Sequence, residues 1–289
     1  MKIGNVSLDG NVQVVVQTKY GVVPISDLDC FNGSNEIFRT DDIISNVTIA
    51  DSIRNSISGI SKFRNLNPEE LRWYPIVTRP QKIICVGLNY KSHVSETDNI
   101  NPGSPVLFGK FINALAGAGE KIVIPAETKQ LDYEGELGIV IGKSAKNISE
   151  SESMDYIFGY FIGNDISARD LQFRTSQWLL GKSCDKFYPC GPFITTADEI
   201  RDPQNLTIKT KLNGQIRQNS NTSNMIFPVA YLVSYVSKFM TLQPGDIIST
   251  GTPEGVILGM PDSQRIWIKK GDKVTIEIEN IGTLENTFL

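Results

Sequence analysis

Three carboxylates carry the most informative spacing in this chain. In "LDYEGELGIVIG", Glu134 and Glu136 stand at i and i+2, so a strand through residues 134–141 sends both side chains from one face. Two carboxylates side by side repel, and burying them is costly unless something positive lies between them. An arbitrary Glu-x-Glu more often lines a solvated strand face. Here the flanking "LGIVIG" is apolar at nearly every position, so the strand enters the core and the pair at its mouth calls for a cation. Asp165 ends the apolar run "YIFGYFIG", where a strand end opens toward a site. Three carboxylates without histidine or thiolate make an all-oxygen set, which suits Mg²⁺, Mn²⁺ or Ca²⁺ and disfavours Zn²⁺. Asp170, beside Arg169, reads equally well as half of a structural ion pair.

The other residue of note is His93, the only histidine of 289 residues, in "VGLNYKSHVSETDN" three positions before Glu96. By itself a lone histidine in a polar stretch reads as a solvated surface residue. The four cysteines, Cys30, Cys85, Cys184 and Cys190, form no CxxC pair and read as small buried hydrophobes. A Cys–His nucleophilic site using Cys184 or Cys190 has no local mark of an activated thiol.

The elements that must position these groups are mostly strands. "KIICVGL", "PVLFGKF", "KIVIP", "ELGIVIG", "FGYFIGND", "CGPFITT", "LTIKTKLNG", "DIISTGTP" and "DKVTIEIENIG" all have strand length and β-branched content. Helical patterns are fewer: "YKSHVSET", "SESMDYI" and "IFPVAYLVSYVSKFM". Strands outnumber helices without alternating with them, which disfavours a doubly wound parallel sheet and predicts an α+β fold with a large mixed or antiparallel sheet. Residues 1–75 read as a small N-terminal domain, with a hairpin in "VQVVVQTKYGVVPIS" turning at Lys19–Gly21, and residues 76–289 as the catalytic domain. "AGAGEKIVIP" leads into a strand where a phosphate loop opens a helix, and "STGTPEGV" lacks a Walker lysine, so neither reads as a nucleotide site. A net charge of −4 with mixed signs gives no nucleic-acid footprint, and no apolar run suggests a membrane contact. The first residues lack the apolar core of a signal peptide, so a cytoplasmic location is expected.

Taken together, "ICVGLNYKSHVSE", "PVLFGKF", "LDYEGELGIVIG", "GYFIGNDISARDLQ", "QWLLGKSCDKFYPCGPFI", "KLNGQIRQ", "SNMIF", "LQPGDIISTGTPEGV" and "GDKVTIEIENIGTL" resemble the fumarylacetoacetate hydrolase superfamily in order and spacing across residues 80–289. The resemblance implies a strand-rich mixed β-roll, with the N-terminal module like the small leading domain of the sugar-acid branch. It places Glu134, Glu136 and Asp165 on a metal triad that holds Mg²⁺, or alternatively Mn²⁺ or Ca²⁺. It places His93 and Glu96 on a lid dyad, Lys182 on a substrate-contacting lysine, and Gln172 and Thr252 on head-group positions. It implies a homodimer and a small 2,4-dioxo or 2-oxo acid substrate. The chain departs from some acylpyruvate-cleaving members at Leu88, where they have Arg, and from many members at Phe111, where they have Pro.

The activity that follows from the resemblance is metal-dependent hydrolysis of a C–C bond in a 2,4-dioxo acid, sugar-acid-derived or acylpyruvate. His93 acts as the base, Glu96 at i+3 fixes its tautomer, and Lys182 faces developing oxyanion charge. The alternative on the same site is decarboxylation of oxaloacetate or isomerisation of a 2-oxo acid, which also pass through an enolate. A third reading, from another class, is a non-catalytic protein stabilised by its metal.

Overall fold

The computed structural model describes residues 1–31, 39–57, 63–96 and 102–289. The β-branched runs assemble into a nine-stranded sheet in the order Gly21–Pro24, Asn11–Thr18, Lys2–Leu8, Ile194–Thr196, Ile157–Asn164, Gly135–Ile141, Ile247–Ser249, Ile83–Gly87 and Val106–Lys110. Neighbours run antiparallel except Ile247–Ser249 against Ile83–Gly87, which are parallel. A second sheet of five strands follows the order Gln215–Asn221, Thr207–Leu212, Lys273–Ile278, Gly282–Phe288 and Lys121–Ile122. The strand-rich mixed architecture expected from the sequence is what forms. No helix among the described residues is long and apolar enough to cross a membrane.

Strand Gly135–Ile141 is buried at every position, which explains its unbroken apolar character. Leu137, Ile139 and Ile141 face the larger core, while Val140 faces a second one. With a period of two, Glu134 and Glu136 leave on the side of Gly138 and Val140. Gly138 is required by space. A methyl group there would lie 2.1 Å from Cζ of Phe161, a fully buried ring packed edge-on against Tyr188. Gly138→Ala is therefore expected to destabilise the protein by about 1–3 kcal/mol, the cost of overpacking a filled core. A lowered urea midpoint at unchanged slope is the check.

Residues 1–75 supply three strands to the large sheet, joined through Lys2↔Thr195 and Ile3↔Ile194. Ile3, Val14, Val16 and Ile53 share the second core with Val140, Phe161, Ile194 and Ile247. The hairpin at Lys19–Gly21 forms as expected, between Asn11–Thr18 and Gly21–Pro24. Of the expected helices, Val229–Phe239 forms, with Val229, Leu232, Val233 and Val236 buried at helical spacing. "YKSHVSET" gives Lys91–Glu96, and its Thr97 lies outside the described residues. "SESMDYI" gives only a 3₁₀ turn, Ser153–Tyr156. There the Ser153 hydroxyl bonds back to the Ser149 carbonyl, the local competition by which serine disfavours a continued helix.

Candidate active site

The ladder between strands Gly135–Ile141 and Ile157–Asn164 brings the carboxylates together. Its last pairs are Gly163↔Glu136 and Asn164↔Gly135, so Asp165 emerges level with Glu134. The Asp165 N–H donates to the Glu134 carbonyl at 2.9 Å, and the Glu134 N–H donates to the Asn164 side chain at 3.0 Å. Glu134, Glu136 and Asp165 are all buried, and one oxygen from each lies within 4.8 Å of the others. The clustering expected from their spacing is realised.

Buried cations share the cluster. Lys182 Nζ bridges Glu134 Oε2 at 2.7 Å and Asp165 Oδ2 at 2.9 Å. Lys110 Nζ donates to Asp165 Oδ1 and to the Ile166 carbonyl. Arg169 spans Asp132 Oδ2 and Glu134 Oε1, each at 2.8 Å, and donates to Gln172 Oε1 at 3.0 Å. Burial opposes ionisation of Glu134, but the charges of Lys182 and Arg169 outweigh it and hold the carboxyl well below the usual range. Burial likewise opposes the charge on Lys182, and Asp165 with Glu134 overcomes it, raising its pKa.

Glu136 is the exception. Among the described residues no ion pair reaches it. Its Oε2 accepts from the Ser249 hydroxyl and from the Gly251 N–H. Burial pushes its carboxyl well above the usual range, and the charges of Asp165 and Glu134 push the same way. A buried carboxylate with two acidic neighbours and no cation of its own is a site lacking a positive charge. The all-oxygen donor set fits a hard divalent cation, so Glu134, Glu136 and Asp165 could hold one. Gly251 serves this geometry directly: its φ is +96°, and a Cβ there would meet Asn89 Cβ at 2.8 Å and the Val86 carbonyl at 2.9 Å.

His93 is buried, not a solvated surface residue. Its Nδ1 lies 2.8 Å from Glu96 Oε1, and Glu96 Oε2 accepts from the Gly255 N–H at 2.9 Å. His93 lines the same cleft as Glu134, Glu136, Gln172, Lys182 and Thr252. Asp165 is fully buried. Arg169 also lines the cleft, and its remaining walls are mostly apolar, including Leu88, Phe108, Phe173 and Trp178. Two of the expected head-group residues already have partners: Gln172 accepts from Arg169, and the Thr252 hydroxyl lies between Gln218 Nε2 at 2.8 Å and the Gly135 carbonyl at 3.0 Å.

Arg169, Lys110 and Asp132 belong to the site although sequence reasoning gave none of them a role. Asp170, which reads as a possible partner of Arg169, instead accepts from Thr128 and the Lys129 N–H, organising the turn before Leu131. The one available signal for Lys110 was a lysine closing the apolar run "PVLFGK".

Fold and site together define a strand-rich protein with a buried acidic cluster and a histidine–glutamate dyad on one cleft. Residues 82–289 match the fumarylacetoacetate (FAA) hydrolase C-terminal family, and the chain belongs to that family. It is 50% identical over 218 residues to the fumarylacetoacetate hydrolase domain-containing protein 2 homolog of Dictyostelium discoideum, covering 72% of this chain and 71% of that protein. It is 47% identical over 211 residues to a mitochondrial oxaloacetate tautomerase of Rattus norvegicus, covering 73% of this chain and 67% of that one. Among solved structures, fumarylacetoacetate hydrolase from Exiguobacterium antarcticum superimposes with TM-score 0.85 at 32% identity, covering 100% of this chain and 99% of that one. Maleylpyruvate hydrolase from Sphingobium sp., in complex with manganese(II) and pyruvate, superimposes with TM-score 0.81 at 27% identity over 100% and 99% of the two chains.

Proposed function

We propose that the protein is an enzyme that interconverts the enol and keto forms of a small 2-oxo acid of the oxaloacetate kind. This is the isomerase alternative of the sequence reading, and it displaces C–C hydrolysis as the leading one. The relatives named oxaloacetate tautomerase reach 47% identity, whereas the maleylpyruvate hydrolase structures stand at 27%. The observation that carries the reading is a single buried imidazole, oriented by Glu96, on the same cleft as a cation-ready acidic cluster.

Keto–enol interconversion moves one proton between carbon and oxygen, so it asks for one base and a stabilised enolate oxygen. Nδ1 of His93 lies 2.8 Å from Glu96, and in this reading Nε2 exchanges the proton with substrate. In the enol-forming direction Nε2 takes the proton from C3. The C–H pair becomes the C2=C3 bond, charge moves to the 2-oxo oxygen, and His93 returns its proton there. Glu96 holds the ring through the exchange and offsets the transient imidazolium charge. Glu134, Glu136 and Asp165 would hold a divalent cation, with Mg²⁺ or Mn²⁺ the candidates, which would supply Lewis-acid polarisation of the head group. Lys182 and Arg169 keep that floor from repelling an anionic substrate.

Oxaloacetate with Mn²⁺ provides the test, following enol absorbance and pyruvate separately. Loss of the enol signal without pyruvate is the expected result. Pyruvate with carbon dioxide would instead make it a decarboxylase. Faster cleavage of an acylpyruvate into two acids would restore the hydrolytic reading.

A further inference from the structure

The dyad rides on a six-residue helix, Lys91–Glu96, whose own sequence gives it little reason to persist. Ser92, His93, Val94 and Ser95 are middling helix formers, and a helix of this length falls far short of what holds itself together in water. Its position must be imposed from outside. At the N-terminal end the buried Asn89 does this, donating to the Thr250 carbonyl at 2.7 Å and accepting from the Phe227 N–H at 2.8 Å.

The rest of the helix is held by two adjacent residues of the loop after strand Ile247–Ser249. The Gly255 N–H donates to Glu96, and the Ser92 hydroxyl donates to Glu254 Oε2 at 2.8 Å. That loop is itself registered against the acidic cluster. Its Ile257 and Leu258 N–H groups donate to Asp132 at 2.9 and 3.0 Å, and Asp132 is the partner of Arg169. The hydroxyl of Tyr133, next to Glu134, donates to the Gly255 carbonyl at 2.8 Å. The loop therefore sets the distance between the dyad and the carboxylates.

We infer that Glu254 is a positioning residue: through Ser92 it latches the dyad helix onto this loop and so fixes His93 over the cleft. Glu254 is not one of the clustered carboxylates and does not line the cleft. Glu254 Oε2 also accepts from the Ser220 hydroxyl at 3.4 Å, which props the same oxygen. Ser92 is the residue immediately before His93, so freedom gained there passes directly to the imidazole.

The test uses the full chain with Mn²⁺. Losing a hydrogen bond to a charged acceptor raises the ratio of unlatched to latched helix by about tenfold. Glu254→Ala and Ser92→Ala are each expected to speed amide hydrogen exchange of residues 92–96 by that factor, with Mn²⁺ affinity measured by calorimetry unchanged. The double variant should match the single ones, because both remove one contact. Glu254→Gln keeps an acceptor oxygen and should stay near wild type. The kinetic arm rests on the proposed proton transfer: the same variants should lower kcat, by at most that factor, while KM holds, since the carboxylates that would hold the cation for the head group are unaltered. Unchanged exchange in Glu254→Ala, or additive effects in the double variant, would overturn the latch. Faster exchange with no turnover of oxaloacetate, even in the wild type, would uphold the latch and reject the proposed activity.

Discussion

Replacing His93 with alanine is expected to lower the proposed keto–enol turnover by roughly 10²–10⁴-fold, the usual contribution of a positioned acid–base group. No other histidine exists to substitute for it. Its partner Glu96 carries its other oxygen on the Gly255 N–H and stays anchored when the imidazole is gone. Mn²⁺ binding is expected to survive, because His93 is not one of the clustered carboxylates. Glu136→Gln should give the opposite pattern, losing the metal first while the His93–Glu96 pair remains intact. Calorimetry and turnover on the two variants separate the roles. A His93→Ala protein that lost metal and activity together would contradict this division.

Arg169→Met is expected to cost about 3–5 kcal/mol of unfolding free energy, the penalty for stranding buried charges by removing their partner. Arg169 is 3% exposed and serves Asp132 and Glu134 at once. Neither carboxylate can turn to water when the guanidinium goes, since Asp132 is fully buried and Glu134 nearly so. Lysine should rescue little of this loss. A point charge cannot reproduce the planar fork that donates through Nε and Nη2 to Asp132 while Nη1 reaches Gln172. Urea unfolding of Arg169→Met and Arg169→Lys checks both statements.

The acidic triad was legible because each member sits where a local pattern speaks. Glu134 and Glu136 share a face by the period of a strand, and Asp165 terminates an apolar run. The cations escaped because nothing local names their partners. Arg169 lies next to Asp170 in the chain yet pairs with Asp132, 37 positions away, once Ser167–Ala168 aligns against Leu131–Asp132. Lys110 reaches Asp165 across 55 positions from the far edge of the sheet. The segment "STGTPEGV" was legible as a family motif with Thr252 on a head-group position, and not as a phosphate loop. Its actual service is to aim backbone N–H groups at Glu136 and Glu96, a role invisible until the loop is folded. The fold itself was legible in its strand content. That Lys2–Leu8 would join the large sheet was not, because the chosen partner, Ile194–Thr196, lies far along the chain.

Strand Ile247–Ser249 sits between Gly135–Ile141 and Ile83–Gly87. Both neighbours leave the ribosome long before it does. At synthesis rates of about 5–20 residues per second, the gap between them stays open for roughly 5–20 s. During that interval two apolar strand edges, the same ones that carry Glu136 and lead into the dyad helix, have no partner in the nascent chain. Such edges readily pair with other chains. The acidic cluster cannot be finished until Ser249 and Gly251 arrive to cap Glu136. A truncation before residue 247 is therefore expected to aggregate rather than fold as a smaller working protein.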